Sequence, residues 1–303
     1  MKQTLVIGST CADVVIRVPA LPARGGDALI SAQELRLGGC AYNVSDTLHH
    51  FAIPHTLCSP VGSGMYGRFV AEQLQARHIP VFCRTERANG CCYCVVDASG
   101  ERTFLCEHGA EYLFDRAAFD SVDLSGVDSA FFCGLELEEV TAGAEVAFLE
   151  DCKARGAGEF TVFFAPGPRI CQLDNALLAR IFALEPILHL NEEEACSVTR
   201  TNCAERAARS LYEKTHAPLV ITLGGKGAYY LASDADKGVV PPCPAQVADT
   251  IGAGDSHFGA VIAGVKQGLP LRAAVTRANR LAAAVVGVHG STLTQAEFDA
   301  LHL

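Results

Sequence analysis

Short apolar runs closed by glycine or other turn residues alternate along this chain with longer stretches whose apolar positions recur every three or four residues. The first run is Leu5–Gly8; Ala130–Gly134, Phe160–Ala165, Ile187–Leu190 and Leu219–Leu223 repeat the pattern, and Thr56–Val61 reads as a further strand. Runs this short and unbroken suit parallel strands covered on both faces. Between them Asn43–Phe51, Tyr66–Arg77, Thr141–Arg155, Asn175–Ala183 and Cys203–Thr215 have helical character, and the stretch from Asp255 through Val286 is Ala-rich and helical. Strands alternating with helices predict βαβ units and an α/β body around a mainly parallel sheet.

Two segments break the rhythm. Val14–Ala32 is extended, with Pro19, Pro22 and a Gly25-Gly26 turn; Cys91–Val96 and Arg102–Cys106 are strand-like and joined by Asp97-Ala98-Ser99-Gly100, a hairpin signal. They predict a small β appendage made of residues 13–32 and 89–112, on a body made of residues 1–12, 33–88 and 113–303. Cys91–Val96 does not alternate with polar residues, and a strand apolar on both sides wants cover on both. One face is expected to close over a ligand and the other to pack on a second copy, giving a homodimer.

Composition narrows the partners. Half of the 303 residues are apolar and 19% are charged, so a large core can be buried. The net charge of −10 argues against a nucleic-acid groove, which wants a basic face. No run approaches the roughly 20 apolar residues of a membrane span, and no apolar signal segment follows Met1, so a cytoplasmic protein without a membrane partner is expected. The fourteen cysteines are scattered through apolar runs and read as small buried hydrophobes in a reducing compartment. Cys91, Cys92 and Cys94 lack the second cluster that zinc spacing requires. With this net charge, any phosphate must be held by local devices: backbone amides, a helix N-terminus or a metal ion.

The strongest such device is Asp249-Thr250-Ile251-Gly252-Ala253-Gly254-Asp255-Ser256, running into an apolar helix. A Gly-Ala-Gly turn opening a helix bares successive N–H groups, and the helix dipole adds to the attraction. Asp255 lies in the first turn, where it can take a proton from a hydroxyl aimed at the phosphate; the plainer alternative is an acidic helix cap. A rival element is Gly62-Ser63-Gly64-Met65-Tyr66-Gly67, which fits Gly-x-Gly-x-x-Gly, with Glu86 about 20 residues on. It would make the chain an NAD-dependent oxidoreductase using Gly62, Gly64 and Gly67. Against it, Cys58-Ser59-Pro60 is poor for a central parallel strand, and the Gly-Ala-Gly-Asp element would go unexplained.

Residues 249–255 resemble the C-terminal signature of the ribokinase-like (PfkB) carbohydrate kinases, and Gly38-Gly39-Cys40-Ala41-Tyr42-Asn43 resembles that family's N-terminal Gly-Gly-x-x-x-Asn signature. The likeness runs over nearly the whole chain. It implies a three-layer α/β/α body with a small β-sheet lid, and transfer of the γ-phosphate of ATP to a hydroxyl of a sugar or a nucleoside such as pseudouridine. By resemblance Asp255 is the base, the amides of Gly252, Ala253 and Gly254 form the anion hole, and Asp13, Gly38, Gly39, Asn43 and Glu136 meet the acceptor. Asn191 and Glu194, in Asn191-Glu192-Glu193-Glu194, match the family's Asn-x-x-Glu motif, which manages magnesium through water. Thr222, Gly224 and Gly227, in the turn after an apolar strand, match its nucleotide loop, and Asn279 an adenine-side position. Asp249 and the carbonyl of Ile251 match a site for a monovalent cation such as potassium. Where ribokinase itself has a lysine after the paired glycines this chain has Cys40, which argues against ribose, and the chain has no tryptophan platform for a base or sugar. Asp13, Asn43 and Glu136 predict a neutral or weakly acidic polyol, with Arg17, Arg24 and Arg36 solvated.

Overall fold

The computed structural model describes residues 1–156 and 159–303. Its strands, in chain order, are β1 (Gln3–Ile7), β2 (Cys11–Arg17), β3 (Ala32–Gly38), β4 (His55–Cys58), β5 (Pro60–Ser63), β6 (Cys83–Ala88) and β7 (Cys91–Val96), followed by β8 (Arg102–Glu107), β9 (Val127–Cys133), β10 (Thr161–Ala165), β11 (Ile187–Asn191), β12 (Leu219–Thr222), β13 (Ala228–Leu231) and β14 (Lys237–Val240). Eight of them form one sheet in the order β14-β13-β12-β11-β10-β9-β1-β4. From β4 to β12 every pairing is parallel; β13 and β14 fold back antiparallel as an edge.

The unbroken apolar runs are explained by burial on both faces. Phe132, Phe164, Leu188, Leu219 and Ile221 point to one side, where helices Ala142–Arg155, Asn175–Ala183 and Ala204–Thr215 add Val146, Leu149, Ile181 and Leu211. Phe131, Phe163, Ile187 and Val220 point to the other, under helices Cys40–His50, Gly64–Ala76, Ala253–Lys266 and Leu271–Val285. The result is a three-layer α/β/α body. Adjacent phenylalanines on β9 and β10 thus serve opposite cores, and truncating any one to alanine should cost about 3–5 kcal/mol. No described helix is long and apolar enough to cross a membrane.

The expected strand Thr56–Val61 is two strands. β4 ends its ladder with β1 at Cys58, and β5, starting at Pro60, leaves the large sheet to pair with β6. Proline has no N–H to continue a ladder. The appendage is a separate four-stranded sheet in the order β3-β2-β7-β8. Its seven-rung ladder of β2 on β3 takes in residues 11–12 and 33–38, which lie outside the boundaries 13–32 expected for the appendage. Glu34-Leu35-Arg36-Leu37 alternates as an antiparallel strand should.

The registers put Asp13, Arg36, Cys92 and Cys106 on one rung and Arg17, Val96 and Arg102 on another, all on the same face. On that face Val15, Cys94 and Val96 pack around Ile251, the residue before the Gly-Ala-Gly turn. The opposite face, through Ala12, Val14 and Cys91, sits on Tyr66 and Phe69 of helix Gly64–Ala76.

Candidate active site

Gly252 caps the 14-residue helix Ala253–Lys266 in the left-handed region, at φ 72°. A Cβ there would lie 2.4 Å from the Ser291 carbonyl oxygen, so the turn needs glycine on both counts. The first intrahelical bond runs from Ser256 N–H to Gly252 O at 2.8 Å, and Ala253 N–H reaches back to Thr250 O at 3.4 Å. The amides of Gly252, Gly254 and Asp255 meet no backbone acceptor among the described residues. Among the described residues nothing stands within 4 Å of where a Gly254 Cβ would be. Unpartnered N–H groups at the positive end of a helix dipole, facing open space, make an anion cradle.

Asp255 stands at the rim of this cradle. Asn43, buried in helix Cys40–His50, donates from Nδ2 to Asp255 Oδ2 at 2.8 Å, while its own Oδ1 is buried without a partner among the described residues. Burial raises the Asp255 carboxyl from an ordinary 3.8 to about 6, against the opposing pull of Asn43. Asp13 is raised to about 6 for the same reason, and the Cys11 thiol donates to its Oδ1 at 3.5 Å. Gly38 and Gly39 are spacers in this arrangement. A Cβ on Gly38 would collide with the Asp13 carboxylate, and one on Gly39, at φ 102°, would lie 2.4 Å from the Ser9 carbonyl. Arg36 is not simply solvated. It faces the same rung as Asp13, and its Nη1 would lie 2.9 Å from a Cβ on Gly290. Glu136 is fully buried, its Oε1 taking the Ser9 N–H at 2.7 Å, and it lines neither of the cavities below.

Two cavities meet at Thr222 and Gly254. The larger, about 590 Å³, runs between Thr222, Gly224, Gly225 and Gly227 on one side and Ala253, His257, Asn279 and Ala283 on the other. Gly227, at φ 94°, passes so close to β14 that a Cβ would lie 2.1 Å from Val240 O. The smaller, about 190 Å³, reaches from Gly254 and Asp255 to Asn191, Glu194 and His189. Asn191 and Glu194 form a capping box: Asn191 Oδ1 takes Glu194 N–H at 2.8 Å, and Glu194 Oε2 takes Asn191 N–H at 2.9 Å. Burial raises the Glu194 carboxyl, and its second oxygen has no hydrogen-bond partner among the described residues. One free carboxylate oxygen facing an open cavity fits a magnesium ion that keeps most of its waters.

Asn279 is held at both ends. Its Nδ2 donates to Pro241 O at 2.9 Å, which leaves Oδ1 as the acceptor for His257 Nε2–H at 3.0 Å. His257 Nδ1 must then accept from His189 Nε2–H at 2.9 Å. Burial lowers both histidines, His257 to about 4, so this relay is neutral at pH 7. Sequence reasoning missed His189, His257 and the cavity wall from Pro242 to Val247. The wall has no periodicity to read, and the histidines sit in apolar runs as ordinary core residues do.

At Asp249 the donor set is the opposite of a cation site. Oδ1 receives an Arg102 guanidinium N–H at 2.8 Å and the Ile251 N–H at 2.8 Å; Oδ2 receives the Gly290 N–H at 3.3 Å. Arg102 also donates to Thr250 Oγ1 at 2.5 Å. A monovalent ion sharing this carboxylate would sit about 4 Å from the guanidinium, a repulsion of about 4 kcal/mol at an effective dielectric near 20. Asp249 and Ile251 as they stand do not fit such an ion.

The sequence matches the pfkB family carbohydrate kinases over residues 1–297. It is 35% identical over 299 residues to the uncharacterized sugar kinase YegV of Escherichia coli K12, covering 95% of this chain and 90% of that protein. The fold is similar to ribokinase from Thermotoga maritima, with TM-score 0.83 at 22% identity, covering 100% of this chain and 99% of the other. It is similar too to a Burkholderia thailandensis nucleoside kinase solved with inosine, with TM-score 0.78 at 20% identity, covering 98% and 96%. The chain belongs to the pfkB family of carbohydrate kinases and is an ATP-dependent phosphotransferase acting on a sugar-like acceptor; the oxidoreductase reading of Gly62, Gly64 and Gly67 is set aside.

Proposed function

We propose that the acceptor hydroxyl is bound between Asp13 and Asp255, that ATP lies in the larger cavity, and that its γ-phosphate reaches the acceptor across the Gly252–Asp255 cradle. The observation that carries this reading is the position of Asp255. Its carboxylate is half-buried and oriented by Asn43, one residue beyond unpartnered amides and at the junction of the two cavities.

In this reading Asp255 takes the acceptor's hydroxyl proton as the oxygen bonds to the γ-phosphorus, and the bond to the β–γ bridging oxygen breaks to leave ADP. The amides of Gly252, Gly254 and Asp255 receive the charge that develops on the phosphoryl oxygens, with Ala253 contributing once its weak bond to Thr250 opens. Asn43 holds the base and offers its free Oδ1 to the acceptor. Asp13 accepts from a second hydroxyl, so that two contacts fix a diol. Thr222, Gly224 and Gly227 give the nucleotide a flat backbone wall, and Asn279 sets the opposite wall through His257. Asn191 and Glu194 would hold magnesium through water; the ion supplies charge neutralisation between the phosphates.

The acceptor favoured is a neutral polyol: a free sugar or sugar acid, or a nucleoside. The carboxylates of Asp13 and Asp255 disfavour a second phosphate, although Arg36 beside Asp13 could admit an acidic sugar. The free thiols suit a reducing cytoplasm. The outer face of the small sheet exposes Leu35 and Leu105, and we place a homodimer contact there; a strictly monomeric protein in light scattering at micromolar concentration overturns that part. The main test is a panel of sugars, sugar acids, nucleosides and sugar phosphates read by ADP release. A free sugar or nucleoside should give the highest kcat/KM; a sugar phosphate in that place overturns the polyol assignment.

A further inference from the structure

The small sheet does more than cover the cradle. Its cradle-facing side is tied to the turn at two kinds of contact. Val15, Cys94 and Val96 enclose the Ile251 side chain, and Arg102, at the start of β8, bonds both Asp249 and Thr250. Arg102 and Asp249 are both nearly buried, with side chains 14% and 9% exposed, so this ion pair is shielded from salt and solvent. Asp249 also takes the amides of Ile251 and Gly290, and Gly252 packs on Ser291. One carboxylate therefore joins the two loops that carry the cradle, and the charge that balances it comes from the lid rather than from solvent.

Resting on the kinase reading above, we propose that the Arg102 guanidinium takes the place of an alkali cation at Asp249, so that phosphoryl transfer in this chain needs no monovalent ion. Arg102 is a positioning residue. It touches neither acceptor nor nucleotide; it neutralises Asp249, holds Thr250 and keeps the Gly252–Asp255 amides aimed at the cavity. Because it is carried by β8, the cradle is fully braced only when the small sheet is docked. The planar fork suits the task as a lysine point charge would not: one N–H serves the Asp249 carboxylate and another the Thr250 hydroxyl.

The test replaces potassium chloride by choline chloride at constant ionic strength and reads both kcat and the thermal midpoint. The wild-type chain should keep its kcat, and its midpoint should be the same in the two salts. Arg102→Met should lose about tenfold to a hundredfold in kcat in choline, the range expected when a cradle is misplaced without loss of its groups. Potassium should restore part of that rate and raise the variant's midpoint, because the vacated carboxylate can then bind the ion. Arg102→Lys should fall between the two. A wild-type enzyme activated tenfold or more by potassium overturns the proposal. So does an Arg102→Met variant that is fully active in choline, or one that is inactive and neither rescued nor stabilised by potassium. Should Arg102→Met fail to fold, the wild-type comparison decides alone. The midpoints need no turnover: if no acceptor on the panel is phosphorylated the kinase reading fails, while the potassium dependence of the midpoints still settles the part played by Arg102.

Discussion

Two of the glycine turns that open helices in this chain look alike as text. Gly62-Ser63-Gly64 leads into helix Gly64–Ala76, and Gly252-Ala253-Gly254 into helix Ala253–Lys266. Each has one glycine at a left-handed φ, Gly64 at 79° and Gly252 at 72°. What differs is what lies beside the backbone. At the first turn a Cβ on Gly62 would lie 2.2 Å from Arg87 O, and one on Gly67 2.2 Å from Gly62 O. The Gly62 N–H is already given to Asn89 Oδ1 at 2.6 Å, and Asn89 is anchored to the buried Glu111 at 2.7 Å. There glycine makes room for the protein itself. At the second turn Gly254 faces empty space and three amides lack backbone acceptors among the described residues. There glycine leaves room for a ligand, and a nucleotide-binding glycine motif is recognised by that vacancy rather than by its spelling.

Substitutions in the two turns should therefore fail in different ways. The largest effect is expected at the base. Asp255→Asn should lower kcat by about 10²- to 10⁴-fold with nucleotide affinity near wild type, since general-base catalysis is worth that much; wild-type turnover in steady-state assays removes Asp255 from the mechanism. Next is Gly254→Val, whose side chain enters the space meant for phosphate. It should fold with a near-native thermal midpoint and lose about 10²- to 10³-fold in kcat, comparable to removing an oxyanion donor. Normal turnover would place the cradle elsewhere.

The third expectation concerns pH. The Asp255 carboxyl is raised in the folded chain, so folding favours its protonated form. Its contribution to stability is whole below 3.8 and is lost as pH rises through about 6. Asp255→Asn should accordingly be more stable than wild type at pH 7, by about 2–3 kcal/mol for a carboxyl raised from 3.8 to about 6, and no more stable at pH 3.5. Denaturant midpoints at the two pH values check this, and equal gains at both would contradict it. In the same sense the wild-type kcat/KM should climb through pH 6. The smallest effect belongs to the other turn. Gly67→Ala must displace the Gly62 carbonyl, so it should lose about 1–3 kcal/mol of stability while the folded fraction keeps its kcat and its affinity for ATP. A selective loss of nucleotide binding would revive that turn as a ligand site.

The large sheet was legible because parallel strands buried on both faces leave short apolar runs such as Phe160–Ala165, closed by turn residues; the longer run Phe258–Val265 belongs instead to the buried helix Ala253–Lys266. The break at Ser59 was not, although Pro60 announced it: a run of apolar residues hides a change of sheet. β3 was missed because Glu34 and Arg36 look like loop residues until Asp13 and Arg36 are seen on one rung. At the site, Asp255 and its glycines could be read from local spacing. The pairing of Asn43 with Asp255, 212 positions apart, could be suspected only through the family resemblance. Arg102 on Asp249 left no signal at all, since 147 positions separate them and an arginine at a hairpin end is ordinarily solvated.

The most direct test is to label the backbone nitrogen of the 28 glycines and follow their amide resonances as ADP, aluminium fluoride and a turned-over acceptor are added together. A trapped phosphoryl mimic should move Gly252 and Gly254 strongly and leave Gly62, Gly64 and Gly67 where they were. Large shifts at Gly62 and Gly64 with Gly252 and Gly254 unmoved would contradict the account at its centre.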